Sequence, residues 1–322
     1  MARELLILRH GKSDWAAGSL DFARPLKNRG KRAAQRVGVW LWQQNLRPDV
    51  VISSPAMRAI TTAEKCAKAM GMNALGIIQD SRIYEAWLNE LLTVLADAPE
   101  DAGRVMIVGH NPGLEDLLSF LSKDELPVPE DGKLLPTAAL AHLEMPEDWH
   151  DLKQGCAKIR NYIRPRNLPD GFPFPAPDGD EQRERPAYYY SQSAVIPYRY
   201  TPDGSIEFLI ISSSKNKHWV VPKGIRDPGL TSQQSAEKEA WEEAGIRGDV
   251  DTGLLGTYSV QKWGAECQVE VYAMQVHEMV DETDWEERHR RRQWLTAEKA
   301  AAALRQTELG ELLLTLSHRL ES

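Results

Sequence analysis

Two groups of side chains in this sequence have the types and spacing to do chemistry on phosphorus. The first is a set of histidines and arginines placed just after short apolar runs. His10 follows Leu5–Leu8, with Arg9 before it and Gly11 behind it. His110 follows Val105–Val108, inside Gly109-His110-Asn111-Pro112-Gly113. Arg58 lies in Ser53-Ser54-Pro55-Ala56-Met57-Arg58-Ala59, after a third apolar run, and Arg24 in Arg24-Pro25-Leu26. A neutral imidazole is a nucleophile near neutral pH, and guanidinium groups pair with phosphoryl oxygens. A helix starting near Pro55 adds backbone N–H groups suited to an anion. A lone histidine is most often structural or solvated. Two histidines and two or three arginines at equivalent strand ends carry more weight.

The second group is Glu239, Glu242 and Glu243, spaced i, i+3 and i+4. On a helix these lie on one face, where three carboxylates repel one another. Either the face is solvated, or a hard divalent cation such as Mg²⁺ or Mn²⁺ offsets the repulsion. The run Val220-Val221-Pro222-Lys223-Gly224 leads into Asp227-Pro228-Gly229 just before them, and Ala244-Gly245-Ile246 follows them. Lys223 could meet a substrate phosphate or be an ordinary solvated strand-end cation.

These residues need elements to hold them. From Met1 to Leu168, the runs Leu5–Leu8, Val50–Ser53, Leu75–Ile78 and Val105–Val108 read as short buried strands. Arg32–Gln44, Pro55–Met70 and Leu114–Leu121 carry apolar residues at helical spacing, and 158–163 reads as a last strand. Such alternation predicts an α/β domain with a mainly parallel sheet, whose ligands bind beyond the strand ends. Residues 169–187, dense in Pro, Gly and Asp, read as a linker. Residues 188–322 form a second, α+β domain. It has strands over 194–200 and 207–212 joined by an Asp203-Gly204 turn, and a helix near 235–243. Strands near 256–260 and 269–276 and two closing helices follow.

Length and composition agree: 322 residues suit two cores, and 42% hydrophobic with 27% charged residues is ordinary for a globular chain. A net charge of −8 argues against a nucleic acid polymer as partner, but not against small phosphorylated ligands held by a few focused cations. Three scattered cysteines suggest neither a disulfide framework nor a CxxC metal site, and fit a cytoplasmic setting. No signal-peptide pattern or membrane-spanning run is read.

The ordered set LRHGKSDW (8–15), RPL (24–26), SSPAMRAITTAE (53–64) and GHNPGL (109–114) resembles the SixA branch of the histidine phosphatase superfamily, over about residues 3–168. The resemblance implies the α/β, phosphoglycerate mutase-like fold and no cofactor in this half. It makes His10 the phosphorylated nucleophile, with Arg9, Arg58 and His110 as the phosphate pocket and Arg24 as an added contact. Many relatives have Asn six positions after the nucleophile; here Ala16 stands there, which speaks against a phosphoglycerate mutase role. Glu85 lies where many relatives place a carboxylic acid, and reads equally as a solvated charge. Lys12 and Ser13 are phosphate neighbours or surface residues.

The run from Gly224 to Ile246 resembles the Nudix box, G-x5-E-x7-R-E-U-x-E-E-x-G-U, and the likeness covers about residues 188–322. Leu230 replaces its first Glu and Lys238 its Arg. The resemblance implies the α+β Nudix α/β/α sandwich, with Glu239, Glu242 and Glu243 as metal ligands and Glu239 as ligand or base. The stretches Asp284-Trp285-Glu286-Glu287 and Arg290-Arg291-Arg292-Gln293-Trp294 resemble the tail of diphosphoinositol and diadenosine polyphosphate hydrolases. Arg290 and Arg292 then bind a polyphosphate, or form an edge-strand charge run.

Three functions stay open at this point. One is a two-step phosphohydrolase acting on diadenosine polyphosphates, oxidised dGTP or similar small molecules. Another is a phosphatase of phosphohistidine proteins with an accessory Nudix half. The third makes the Nudix half a nucleotide sensor.

Overall fold

The computed structural model describes residues 3–124 and 132–322, which divide into two compact units between Gln182 and Arg183. The first holds β1 (Arg3–Arg9), α1 (Asn28–Gln43), β2 (Val50–Ser53), α2 (Met57–Ala69), β3 (Ile78–Gln79), α3 (Leu88–Ala96), β4 (Arg104–Gly109), α4 (Gly113–Leu121), β5 (Leu140–Met145) and β6 (Lys158–Ile163). The sheet order is β3-β2-β4-β1-β5-β6. The first four strands run parallel, and β5 and β6 are added antiparallel.

Strand β1 is apolar throughout because both its faces are covered. Leu5 and Ile7 pack with residues of α3 and α4, and Leu6 and Leu8 with residues of α1 and α2. Each such side chain contributes about 1.5–3 kcal/mol on burial. The parallel strands β1 and β4 end in register, Arg9 opposite Gly109, so His10 and His110 emerge side by side.

Three features of this unit differ from the expectations. Residues 74–76 make a 3-10 turn capped by Asn73 and leave Leu75 exposed, so the third strand is the two-residue β3 instead of 75–78. α3 and the buried β5 had no counterpart in the sequence reading. The stretch 169–187 is also not a bare tether. Phe172 is buried with the Arg32 guanidinium 5.1 Å from its ring centre. Arg36 pairs with Asp170 at 3.1 Å, and Gln43 donates to the Pro177 carbonyl at 2.7 Å. Within it β7 (Phe172–Phe174) pairs with β8 (Glu181–Arg183). One large ring outweighs the surrounding Pro and Gly.

The second unit holds β9 (Ser191–Tyr200), β10 (Ile206–Ser212), β11 (Trp219–Val220), β12 (Lys223–Ile225), α5 (Ser232–Ala244), β13 (Ile246–Lys262), β14 (Ala265–Met279), β15 (Arg292–Leu295), α6 (Ala297–Ala303) and α7 (Thr307–Glu321). Its seven-stranded sheet follows β11-β10-β9-β14-β13, with β12 on β9 and β15 on β10. α5 covers one face and α6 with α7 the other, giving an α/β/α sandwich. Ala236, Ala240 and Ala244, four apart and buried, form the helix stripe facing the sheet. Thr231 and Gln234 make a reciprocal cap at the start of α5, and Gly245 closes it in the left-handed conformation (φ 61°). Among the described residues no helix is long and apolar enough to cross a membrane.

Candidate active sites

The first site lies beyond the ends of β1, β2 and β4. His10 is buried, its ring centre 5.1 Å from that of His110. Nδ1 of His10 lies 2.8 Å from the Gly11 carbonyl. A carbonyl only accepts, so Nδ1 carries the proton and Nε2 keeps its lone pair. Burial, together with the Arg58, Arg9 and Arg24 guanidiniums, pushes the His10 pKa down to about 4. Burial, His10 and Arg58 push His110 down to about 3. Both rings are therefore neutral at pH 7.

Around them are buried nitrogens that the protein leaves without partners. Arg9 gives Nη1 to the Leu135 carbonyl at 2.6 Å but leaves Nε buried without a partner. Arg58, in the first turn of α2, likewise has an unpartnered Nε. His110 engages Ser54 Oγ through Nε2 at 2.9 Å and leaves Nδ1 unpartnered. α2 also starts without a side-chain cap. Orphaned buried N–H groups are rare, and several converging on one pocket suit an anion.

Sequence reasoning missed Asp21. Its carboxylate pairs with Arg24 at 2.7 Å and Arg58 at 2.9 Å, and accepts the Tyr84 hydroxyl at 2.9 Å. Burial works against its charge, but Tyr84, Arg58 and Arg24 hold the carboxyl below the usual range. Arg24 is further fixed by Ser13 Oγ at 3.1 Å and lies over the Trp15 ring at 3.6 Å. The only forward signal was Asp three residues before the Arg-Pro-Leu arginine.

Gly109 and Gly113 explain how Tyr84 reaches this site. A Cβ on Gly109 would meet Ile83 at 2.8 Å, and one on Gly113 the Ala86 carbonyl at 2.2 Å. The segment 83–86 thus presses against β4 and α4, its Tyr84 ring 5.7 Å from that of His110. Glu85 next to it is exposed and held at φ 55°. Lys12 lines a shallow groove of about 340 Å³ with Arg29 and Thr137.

The second site is the carboxylate face of α5. Gly224 of β12 lies so close that a Cβ there would sit 2.0 Å from the Glu239 carboxyl. Burial and the neighbouring Glu243 carboxylate raise Glu239 to about 8. Among the described residues no hydrogen-bond donor reaches its carboxyl. Burial also raises Glu243, against the pull of Arg290 and of the Lys223 N–H, which donates at 3.0 Å. Lys238 bridges Glu242 (3.3 Å) and Asp227 (3.2 Å), so the Lys that replaces Arg still steadies one carboxylate; Asp227 was not foreseen. Among the described residues no three carboxyl, imidazole or thiol groups converge as a ready metal cage. The donor set nonetheless fits a hard cation: oxygen ligands, one of them a buried carboxyl lacking any donor.

The basic cluster was open to two readings, a polyphosphate site or an edge-strand charge run. Arg290 is buried, pairs with Glu243 and Glu287, and donates to the Ser212 carbonyl at 3.1 Å. Arg292 donates to the carbonyls of Ala244 and Val280 and stacks on Trp285 at 3.8 Å. Both guanidiniums are consumed within the fold, so neither is presented to a ligand. The run is also a strand, β15, paired to β10.

Comparison with known proteins agrees with this division. Residues 5–104 match the model of the histidine phosphatase superfamily (branch 1), and residues 190–315 the NUDIX domain model. Nudix hydrolase 16, mitochondrial, of Arabidopsis thaliana is 32% identical over 140 residues, 38% of this chain and 76% of that protein. Diphosphoinositol polyphosphate phosphohydrolase 3-alpha of Homo sapiens is 33% identical over 102 residues, 30% of this chain and 60% of that protein. A solved structure assigned as the phosphohistidine phosphatase SixA of Nakamurella multipartitia is 31% identical; the match covers 51% of this chain and 97% of that one, with a TM-score of 0.43. The chain is a phosphate-hydrolysing enzyme that belongs to the Nudix hydrolases through its C-terminal part and carries a histidine phosphatase superfamily domain over residues 5–104.

Proposed function

We propose that the C-terminal half hydrolyses a phosphoanhydride of a nucleoside or dinucleoside polyphosphate with Mg²⁺ or Mn²⁺, and that the N-terminal half removes a phosphate from the product or a related ester. The observation that carries the reading is the pairing of a neutral His10, its Nε2 free, with unpartnered Nε–H groups of Arg9 and Arg58 and the unpartnered Nδ1 of His110. Nε2 of His10 attacks phosphorus; the P–N bond forms as the bond to the leaving oxygen breaks. Arg9, Arg58 and His110 hold the equatorial oxygens as charge builds on them. Glu85, exposed beside Tyr84, gives the leaving oxygen its proton and then takes one from the water that cleaves the P–N bond. Arg24 and Asp21 steady Arg58, and Lys12 meets the substrate outside the pocket.

In the other half Glu239, Glu242 and Glu243 would hold the cation, which supplies neutralisation of phosphate charge and activation of water. Lys238 keeps Glu242 in place. Glu239 serves as a third ligand or as the base. Lys223 offers an ammonium to the substrate phosphates.

The test is turnover of dinucleoside polyphosphates, oxidised dGTP, diphosphoinositol phosphates and a phosphohistidine protein, each with and without Mg²⁺. Glu242→Gln should abolish the metal-dependent cleavage, and His10→Ala only the release of terminal phosphate. Consumption of the phosphoprotein alone would replace this reading with a phosphohistidine phosphatase. Weakened nucleotide binding by Glu242→Gln, with turnover unchanged, would make the Nudix half a sensor.

A further inference from the structure

The groove beside Lys12 lies at the rim of the phosphatase site. It measures about 340 Å³, within the range of small-molecule sites of about 300–1,000 Å³, and its lining holds Lys12, Arg29 and Thr137 but neither Asp nor Glu. Its position follows from the backbone. Lys12 stands two residues after His10, so their Cα atoms are at most about 7 Å apart. The Lys12 carbonyl accepts the Lys27 N–H at 2.9 Å, and a Cβ on Gly30 would sit 2.4 Å from that carbonyl. The first turn of α1, which carries Arg29, is therefore pressed onto the strand end that carries His10. The Ala138 N–H, next to Thr137, donates to the His10 carbonyl at 3.1 Å. Short main-chain contacts thus tie all three polar lining residues to the nucleophile. The cations nearby differ in what holds them. Lys27 pairs with Asp14 at 3.3 Å, Arg24 with Asp21 at 2.7 Å, and Arg36 with Asp170 at 3.1 Å. Lys12 and Arg29 form no ion pair among the described residues. Two like charges sharing one groove with no internal anion suit an external one.

We propose that this groove receives a second phosphate of the phosphatase substrate. One phosphate enters the pocket of Arg9, Arg58 and His110. The other sits between Lys12 and Arg29, with the Thr137 hydroxyl as a further donor. The substrate class is then a small ester carrying two phosphates on one compact carbon skeleton, because the short step from His10 to Lys12 bounds the distance between the two sites. Two cations facing one groove match a single dianion. An acidic protein surface would need charge spread along the rim, where Lys27 and Arg24 already have carboxylate partners. The inference rests on the phosphatase reading of the N-terminal half and goes beyond it by naming what that half selects.

The experiment compares a nucleoside 3′,5′-bisphosphate with the matching 5′-monophosphate on the full chain in EDTA, by phosphate release and by calorimetric binding. The wild type should show kcat/KM about a hundredfold higher for the bisphosphate, about tenfold for each charge-assisted contact. Arg29→Ala and Lys12→Ala should each lower that preference about tenfold, through KM and not kcat, and Arg29→Lys should restore much of it. The preference should shrink as salt rises. Lys299→Ala, which removes an exposed charge of α6, should leave it intact. Equal turnover of the two esters by the wild type, or equal binding where neither turns over, overturns the proposal. So does a preference that survives both Arg29→Ala and Lys12→Ala. An Arg29-dependent preference for a phosphohistidine protein, with no gain for the bisphosphate, overturns it too and gives the groove to a protein partner. A chain that hydrolyses neither ester yet binds the bisphosphate more tightly through Arg29 and Lys12 upholds the groove and refutes the phosphatase reading.

Discussion

Acidification from pH 7.5 to 3.5 should leave His10 neutral well below the point where an ordinary imidazole takes up a proton. Its burial beside three guanidiniums places the pKa at about 4 instead of 6.5. At pH 5 a histidine of ordinary pKa is about 3% neutral, whereas one near 4 is about 90% neutral. The fraction able to attack phosphorus thus differs about thirtyfold between the two cases. Single-turnover formation of phosphoenzyme from an aryl phosphate in EDTA, corrected for the ionisation of the substrate, should keep most of its pH 7 rate at pH 5. The ring-proton resonance that disappears in His10→Gln should titrate with the same low midpoint. Stability carries the matching sign. A base with a depressed folded-state pKa stabilises above its unfolded value of 6.5, and that contribution is lost as pH falls through about 4. At about 1.4 kcal/mol per pH unit, the loss is about 3 kcal/mol, and it should be smaller in His10→Gln. A midpoint between 6 and 7, with a rate that collapses there, would refute the claim that the pocket is dry and cationic.

Gly224→Ala puts a methyl 2.0 Å from the Glu239 carboxyl; displacing that group by an ångström should cut metal-dependent turnover about a hundredfold while phosphatase turnover in EDTA is retained. Arg290→Met leaves Glu243 buried without its guanidinium, so urea unfolding should show the second domain destabilised by about 3–5 kcal/mol at pH 7.5. The deficit should shrink at lower pH, because Glu243 already takes a proton more readily than an ordinary glutamate. A change under about 1 kcal/mol would mean the pair is solvated. Asp21→Asn removes the internal anion from Arg24 and Arg58, and competitive inhibition by inorganic phosphate should tighten about tenfold. Weaker inhibition would show that Asp21 orients the arginines and does not compete for them.

What could be read in advance follows from the range of the forces involved. β1 and β4 were legible because a strand covered on both faces has to be apolar along its whole length. The α5 carboxylates were legible because i, i+3 and i+4 fix a face whatever the tertiary setting. β5 was not, since its apolar run is broken by His142 and Glu144. His142 is buried only because Glu4 and Asn161, from other strands, satisfy its two nitrogens. Asp21 acquires its meaning from Arg58, far along the chain, and from Tyr84 farther still. Arg290 and Arg292 stayed open between two readings for the same reason in reverse. A run of cations looks like a ligand site until the fold delivers a buried carboxylate and two carbonyls to absorb it. Local pattern reports which groups exist; tertiary approach decides which remain unspent.

That distinction also separates the two sites. In the first, the unspent groups are the guanidinium N–H donors of Arg9 and Arg58 and one imidazole nitrogen, in a pocket that keeps two histidines uncharged. In the proposed reading a phosphoryl group would add negative charge beside the single carboxylate of Asp21 and would partner the orphaned nitrogens. In the second, the unspent group is the Glu239 carboxyl, pushed toward its protonated form by burial and by the neighbouring Glu243 carboxylate. A phosphate arriving there alone would add to the repulsion. The proposed cation would offset that repulsion in the Nudix half. Under the proposed function one chain would act on phosphate twice, through a pocket rich in cations and a face rich in carboxylates.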